Sequence, residues 1–338
     1  RSRLGTSRRR DADIVAVVWA WQRIRLLRAQ PPARVKGERR EVFASALEQA
    51  EQLMQAAAAI GPAARPLPLF YSLSQAGRAI AAAHLSDPWR LAGHGLIVPA
   101  KDSSNSLLRR VVKPDESDPP AERRHSFAGV AEATGSDSLT ATVELGAIWA
   151  AIPDLLEPVP QMVSADTWRR PLHVYLTDWW GTPAPLAARK QFELMIDGLP
   201  DDPETMAGVL AHYPAAAGAV PKVLAQTSEV QRVLVEGQSG PVIVWPQFQI
   251  DWRQLETIAP AYWRGRLLLP SIGGDALSPL MLWWVLLFGL SSIARYDPEL
   301  WIDALDVNRS KIAVPIEAAL DVAIGALPEL ILAALTTP

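Results

Sequence analysis

The chain has 338 residues, 49% of them hydrophobic and 20% charged. It can bury a large core, and it exceeds the size at which one core usually stops growing, so two subdomains or one domain with a large insertion are expected. A formal net charge of -3 excludes a surface that is basic throughout and leaves only a local cationic cleft for any nucleic acid; the absence of cysteine excludes disulfides, thiolate nucleophiles and zinc sites built on sulfur.

In chain order, the basic stretch Arg1–Arg10 is followed by an apolar run, Ile14–Trp21, that is short and has no small-residue cleavage site, so it does not read as a signal peptide. Asp13–Leu27 carries Ile14, Val17, Val18, Trp21, Ile24 and Leu27 at helical recurrence and stops at Pro31-Pro32. A second helix over Arg40–Ile60 gathers Val42, Phe43, Ala46, Leu47, Ala50, Leu53 and Met54 on one side, and Gly61-Pro62 ends it. The third helix follows Pro66 and Pro68 and runs to about Leu85. Its small residues, Ser72, Ser74, Ala76, Gly77, Ala79 and Ala81 to Ala83, allow close approach and predict the central helix of a bundle.

Beyond Ser86-Asp87-Pro88 the character changes. Gly93–Val98 reads as a turn into a strand, Lys113–Ser126 as an exposed loop, and Leu145–Ile152 as a short helix ended by Pro153. Strands are predicted at His173–Thr177, Pro241–Trp245 and Arg266–Pro270. Ala276–Ala294 carries no charge and approaches membrane-spanning length, but Pro279, Gly289 and Ser291-Ser292 interrupt it and no basic flank sets an orientation. A buried core helix is expected there, with no membrane contact and a cytoplasmic location. Asp297-Pro298-Glu299 starts a further helix, and Ile312–Leu335 is predicted helical with a break near Pro328. The fold class expected is α+β, predominantly helical: residues 11–92 and 275–338 form a helical bundle, and residues 93–274 form a mixed α/β insertion.

The segment Pro68-Leu-Phe-Tyr-Ser-Leu-Ser-Gln-Ala-Gly-Arg-Ala-Ile, the Gly93-His-Gly-Leu after it, and the late Phe288-Gly-Leu-Ser-Ser-Ile-Ala-Arg-Tyr-Asp-Pro-Glu-Leu-Trp together resemble the YaaC-like family. That resemblance bears on the fold more than on the activity. The third helix also resembles HEPN domains, helical bundles in which an Arg and a His four to six residues apart form a motif; Arg78 and His84 have five residues between them. The HEPN resemblance implies a dimeric, metal-independent ribonuclease, with Arg holding the phosphate and His exchanging protons, in defence or stress response.

Six positions along a helix is a rotation of about 240°. Arg78 and His84 therefore meet only if the helix ends near Ala83 or a partner copy completes the site. His84 also sits where a favourable helix-dipole interaction would place it, and a buried Arg78 would require a carboxylate or phosphate partner. His94, between two glycines, is either an accessible assisting imidazole or part of an ordinary tight turn. Arg295 and Tyr296 are RNA-binding candidates, with Asp297 and Glu299 near enough to neutralise the charge. No His-x-x-His, phosphate loop or Gly-x-Ser-x-Gly is present, so neither a metal nor a cofactor is expected. Two alternatives stand beside the RNA reading: a non-catalytic scaffold that binds a protein partner, and a small-molecule pocket lined by Trp179-Trp180 or Trp245.

Overall fold

Local chemistry sets the helix ends. The helices are α1 (Arg3–Ala29), α2 (Glu38–Ala59), α3 (Pro66–His84), α4 (Ser126–Ala133), α5 (Leu145–Ala151), α6 (Pro203–Leu210), α7 (Pro279–Tyr296), α8 (Pro298–Leu305) and α9 (Ala313–Thr336). Proline opens α3, α6, α7 and α8, where its missing N–H removes no helical bond. Asp202, Ser278 and Asp297 cap the last three by accepting the backbone N–H of Thr205, Met281 and Leu300. The computed structural model describes residues 3–100, 106–155, 168–176, 192–196, 199, 202–213, 220–222, 242–245, 261–263, 266–269, 271–272 and 277–336.

The chain divides into two units, residues 1–168 with 277–338, and residues 169–276. In the first unit α3 is the hub, packed against α2, α7, α4 and α9. Its small residues are used as anticipated. A Cβ added at Gly77 would stand 2.5 Å from Cη2 of Trp284, so the bare backbone is what lets the indole of α7 lie on α3. Ser72, fully buried, donates to the carbonyl of Ala50 at 2.6 Å and fixes α3 against α2. Glu51, on the flank of α2 that reads as polar, is 7% exposed and accepts from Arg25, which ties α1 to α2.

The predicted boundary at residue 93 moves to Arg169. Residues 93–155 join the helices because their apolar side chains are buried there: Leu96, Leu107, Phe127, Val130, Leu145, Ile148 and Trp149 are all within the core, and α4 and α5 pack on α3 and α7. Short strands edge this region. β1 (Leu91–Ala92) pairs in parallel with β4 (Arg124–His125), while β2 (Leu96–Ile97), β3 (Val111–Pro114) and β5 (Val143–Glu144) form an antiparallel sheet in the order β2-β3-β5. The Lys113–Ser126 loop is thus bounded by strand pairing at both ends.

The second unit holds a six-stranded antiparallel sheet, ordered β10-β11-β6-β7-β9-β8. Its strands are β6 (Leu172–Leu176), β7 (Phe192–Ile196), β8 (Val220–Lys222), β9 (Val242–Trp245), β10 (Ala261–Trp263) and β11 (Arg266–Leu269). The Tyr213 hydroxyl donates to the Arg170 carbonyl at 2.7 Å, and burial pushes its phenol up to about 12.

Among the described residues two helices, α7 and α9, are long and apolar enough to cross a membrane by length and composition. In α7 every residue from Pro279 to Ile293 is buried inside the first unit, which accounts for its apolar character. α9 runs through Pro328 without a break, correcting the expected interruption. Pro328 and its neighbours Leu327 and Ile331 are buried, so packing holds the helix where the proline removes a backbone donor. The molecule is predominantly helical with small sheets, an α+β protein.

Candidate anion-binding face

Helix α3 is buried nearly all round, and its less buried positions are ordered. Tyr71, Ser74, Gln75 and Arg78 recur at i, i+3, i+4 and i+7, one stripe of a helix, and Arg78 is the exposed residue within it. The expectation of a buried Arg78 with an internal counter-charge is corrected: Gly77 and Ala79 beside it are buried, but position 78 lies on the outward stripe. Arg78 lines a small, open cleft together with Val42, Trp89, Arg90, Leu91 and Arg123.

The arginines around this cleft fall into two groups. Arg90 pairs with Glu38, Arg124 with Glu132, and Arg39 with Asp87 at 2.9 Å. Arg39 also donates to the carbonyls of Ala82 and Leu85, closing the C-terminus of α3, and the guanidinia of Arg39 and Arg90 lie 5.0 and 5.8 Å from the Trp89 ring. Arg78 and Arg123 have no carboxylate partner among the described residues. They are exposed cations held toward the cleft with their charge unspent.

His94 stands beside this stripe. Its ring meets Phe70 edge-on at 5.3 Å and Phe288 at 5.4 Å. Burial against them pushes its imidazole below the usual histidine range, and the charges of Arg295 and then Arg78 push it further the same way. These surroundings favour the neutral form of the ring. The turn that carries it is left-handed at both glycines, with φ of 59° at Gly93 and 75° at Gly95. Ser126 Oγ donates to the Gly93 carbonyl at 2.6 Å, the Phe127 N–H to the His94 carbonyl at 3.1 Å, and the Asp115 N–H to the Gly95 carbonyl at 3.0 Å. A Cβ on Gly95 would lie 2.8 Å from that of His125, so the turn is both shaped and closely packed.

Arg295, at the end of α7, donates to the Tyr71 hydroxyl at 3.3 Å and lies 4.7 Å over the ring of Tyr296, which is 78% exposed. The neutralisation expected from Asp297 is taken elsewhere: Asp297 pairs with Arg110 and caps α8. Arg78, His94, Arg295 and Tyr71 thus belong to one face, with Arg78 shared between it and the cleft.

His84 belongs to another environment. Its Nδ1 meets the guanidinium of Arg34, and the backbone of Ala334 and Leu335 in α9 lies against the ring. Burial is the main cause that lowers its pKa; Arg34 adds to it and the two carbonyls oppose it. The neighbours of Arg78 and His84 do not overlap, as their angular separation on one continuous helix requires. Arg78 and His84 therefore do not meet within this chain, while the charge of Arg78 reaches the ring of His94.

Trp89, Arg90, Arg123 and Tyr71 escape the sequence reading. The signal for Tyr71 was the polar recurrence along α3; Arg123 sits in a charged loop where nothing local marks it. Trp179-Trp180 and the side chain of Trp245 lie outside the described residues, as does Gly273-Gly274-Asp275. Among the described residues no three His, Asp or Glu side chains gather as a metal-ligating group.

Residues 18–335 match the family described as YaaC-like Protein. Neither the curated proteins nor the solved structures contain a match to this chain.

Proposed function

This chain belongs to the YaaC-like protein family, and from the α3 face we propose that it binds RNA through backbone phosphates and cleaves it without a metal ion. The observation that carries this reading is His94, half-buried against Phe70 and Phe288, lying in the field of two guanidinia, Arg78 and Arg295, neither of which has a carboxylate partner among the described residues. Guanidinium forks match phosphate oxygens and stay charged at any physiological pH.

Cleavage follows from what a neutral imidazole can accept. With a phosphodiester held by Arg295, His94 takes the proton of the 2'-hydroxyl as that oxygen attacks phosphorus. The bond to the 5'-oxygen breaks, the 5'-oxygen takes a proton from water, the hydroxide so formed takes the proton from His94, and a 2',3'-cyclic phosphate remains. Arg295 stabilises the charge that builds on the phosphoryl oxygens, and Arg78 holds a neighbouring phosphate. His84 has no part in this scheme, and a second copy of the chain is not required by it.

The test is to incubate the purified chain with single-stranded RNA in EDTA and follow both binding and products. We expect binding with EDTA-resistant cleavage to cyclic-phosphate ends, binding kept and cleavage lost in His94→Ala, and both kept in His84→Ala. Absence of binding, or cleavage that persists unchanged in His94→Ala, would overturn the reading.

A further inference from the structure

We propose that the cleft formed by Arg78, Arg90, Arg123, Val42, Trp89 and Leu91 takes a terminal phosphomonoester, and that it distinguishes a phosphorylated end from an internal phosphodiester. The naming of an RNA end as the source rests on the function proposed above; a mononucleotide or free phosphate shares the same chemistry.

Charge is the first reason. Arg90 is already neutralised by Glu38, whereas Arg78 and Arg123 carry no counter-charge among the described residues, so the cleft presents two uncompensated positive charges. An internal phosphodiester carries one negative charge. A phosphomonoester carries about 1.5 to 2 at neutral pH and offers three acceptor oxygens. The match in charge is to the monoester.

Shape is the second. Proteins that track an internal strand place their cations along a groove open at both ends, with aromatic rings free to stack on successive bases. Here three arginines line one small, open cleft, and its aromatic residue, Trp89, is 9% exposed and already covered by Arg39 and Arg90. Trp89 therefore serves as a floor that orients Arg90. The remaining apolar wall, Val42 and Leu91, gives a nucleoside a surface to rest on but no polar group to read a base. Selectivity resides in the phosphate.

Geometry also relates the cleft to the neighbouring imidazole. Arg78 lines the cleft, and its charge reaches the ring of His94. A terminal phosphate seated against Arg78 and Arg123 would hold the chain end beside His94, so the bonds presented for reaction would be those near the end.

The test uses one internally labelled single-stranded RNA with a 5'-phosphate, a 3'-phosphate or hydroxyls at both ends, bound to the full chain, with AMP, adenosine and inorganic phosphate as competitors. We expect an end-phosphorylated strand to bind at least about 10-fold more tightly than the hydroxyl-ended one, the scale of one charge-assisted hydrogen bond. AMP should compete and adenosine should not. Arg123→Ala, on an exposed side chain, should remove the preference without altering the melting temperature, and Arg123→Lys should restore part of it. The preference should also shrink as pH falls below about 6, where the monoester loses its second charge.

Equal affinity for all three strands, together with no competition by AMP or phosphate, would overturn the proposal, as would a preference that survives Arg123→Ala. Failure of the two readings is separable. If no RNA binds but AMP does, and Arg123→Ala abolishes it, the cleft assignment stands and the RNA reading falls. Competition by inorganic phosphate as strong as that by AMP would support the cleft and name free phosphate as its source.

Discussion

A guanidinium with no carboxylate in reach contributes little to folding, and a substitution there is a clean probe of binding. Arg78 and Arg123 are of this kind, so Arg78→Ala should leave the melting temperature unchanged while weakening RNA by about 10-fold, measured by fluorescence anisotropy. His84 behaves oppositely. Its ring is lodged between Arg34 and the end of α9, so His84→Ala should lower the melting temperature and leave RNA affinity as it was. A loss of affinity in His84→Ala with intact folding would return that histidine to the site. Sequence reading joined Arg78 and His84 by spacing, and spacing does not report which way a side chain points.

Among the elements, α3 shows what a helix made of small residues is for. The indole of Trp284 occupies the space where a Cβ at position 77 would stand, with Val130 2.9 Å from the same point. Gly77→Ala gains helix propensity of about 1 kcal/mol but forces a rigid ring to move in a packed core, which costs about 1–3 kcal/mol. We expect net destabilisation in chemical denaturation; a variant as stable as the parent would show that Trp284 has room to shift. The same packing made α3 legible as the central helix from sequence. The polar stripe of Tyr71, Ser74, Gln75 and Arg78 went unread, because the small residues between its members masked the periodicity. Arg123 was not legible either, because it reaches the cleft only through the pairing of β1 with β4, and two-residue strands leave no pattern in a sequence. Pro328 misleads for a related reason: a local breaker says nothing of the burial that holds α9 together around it.

For the whole molecule, acidity acts through the two perturbed histidines. Both are held below their ordinary range in the folded chain, so as pH falls through the unfolded value near 6.5 the unfolded chain takes up protons that the folded one refuses. Stability is therefore unaffected by these groups at pH 7.5 and declines as pH drops below about 6.5, until the lowered folded values are reached. The midpoint of urea unfolding measured from pH 7.5 to 5 should fall, and His84→Gln should flatten part of that slope. The division at Arg169 belongs to this scale as well. Apolar residues between 93 and 155 could be read as strand or short helix in either unit, and only their burial against α3 and α7 assigns them. The family match spans residues of both units.

The central claim is that unpaired guanidinia on the α3 face hold RNA phosphates, and salt dependence measures it most directly. Anisotropy of a labelled single-stranded RNA should be titrated between about 50 and 200 mM salt for the parent chain, Arg78→Ala, Arg123→Ala and the double variant. Each substitution should weaken binding and reduce the slope of log affinity against log salt by about one, the double by about two. An affinity and slope unchanged in the double variant would contradict the account.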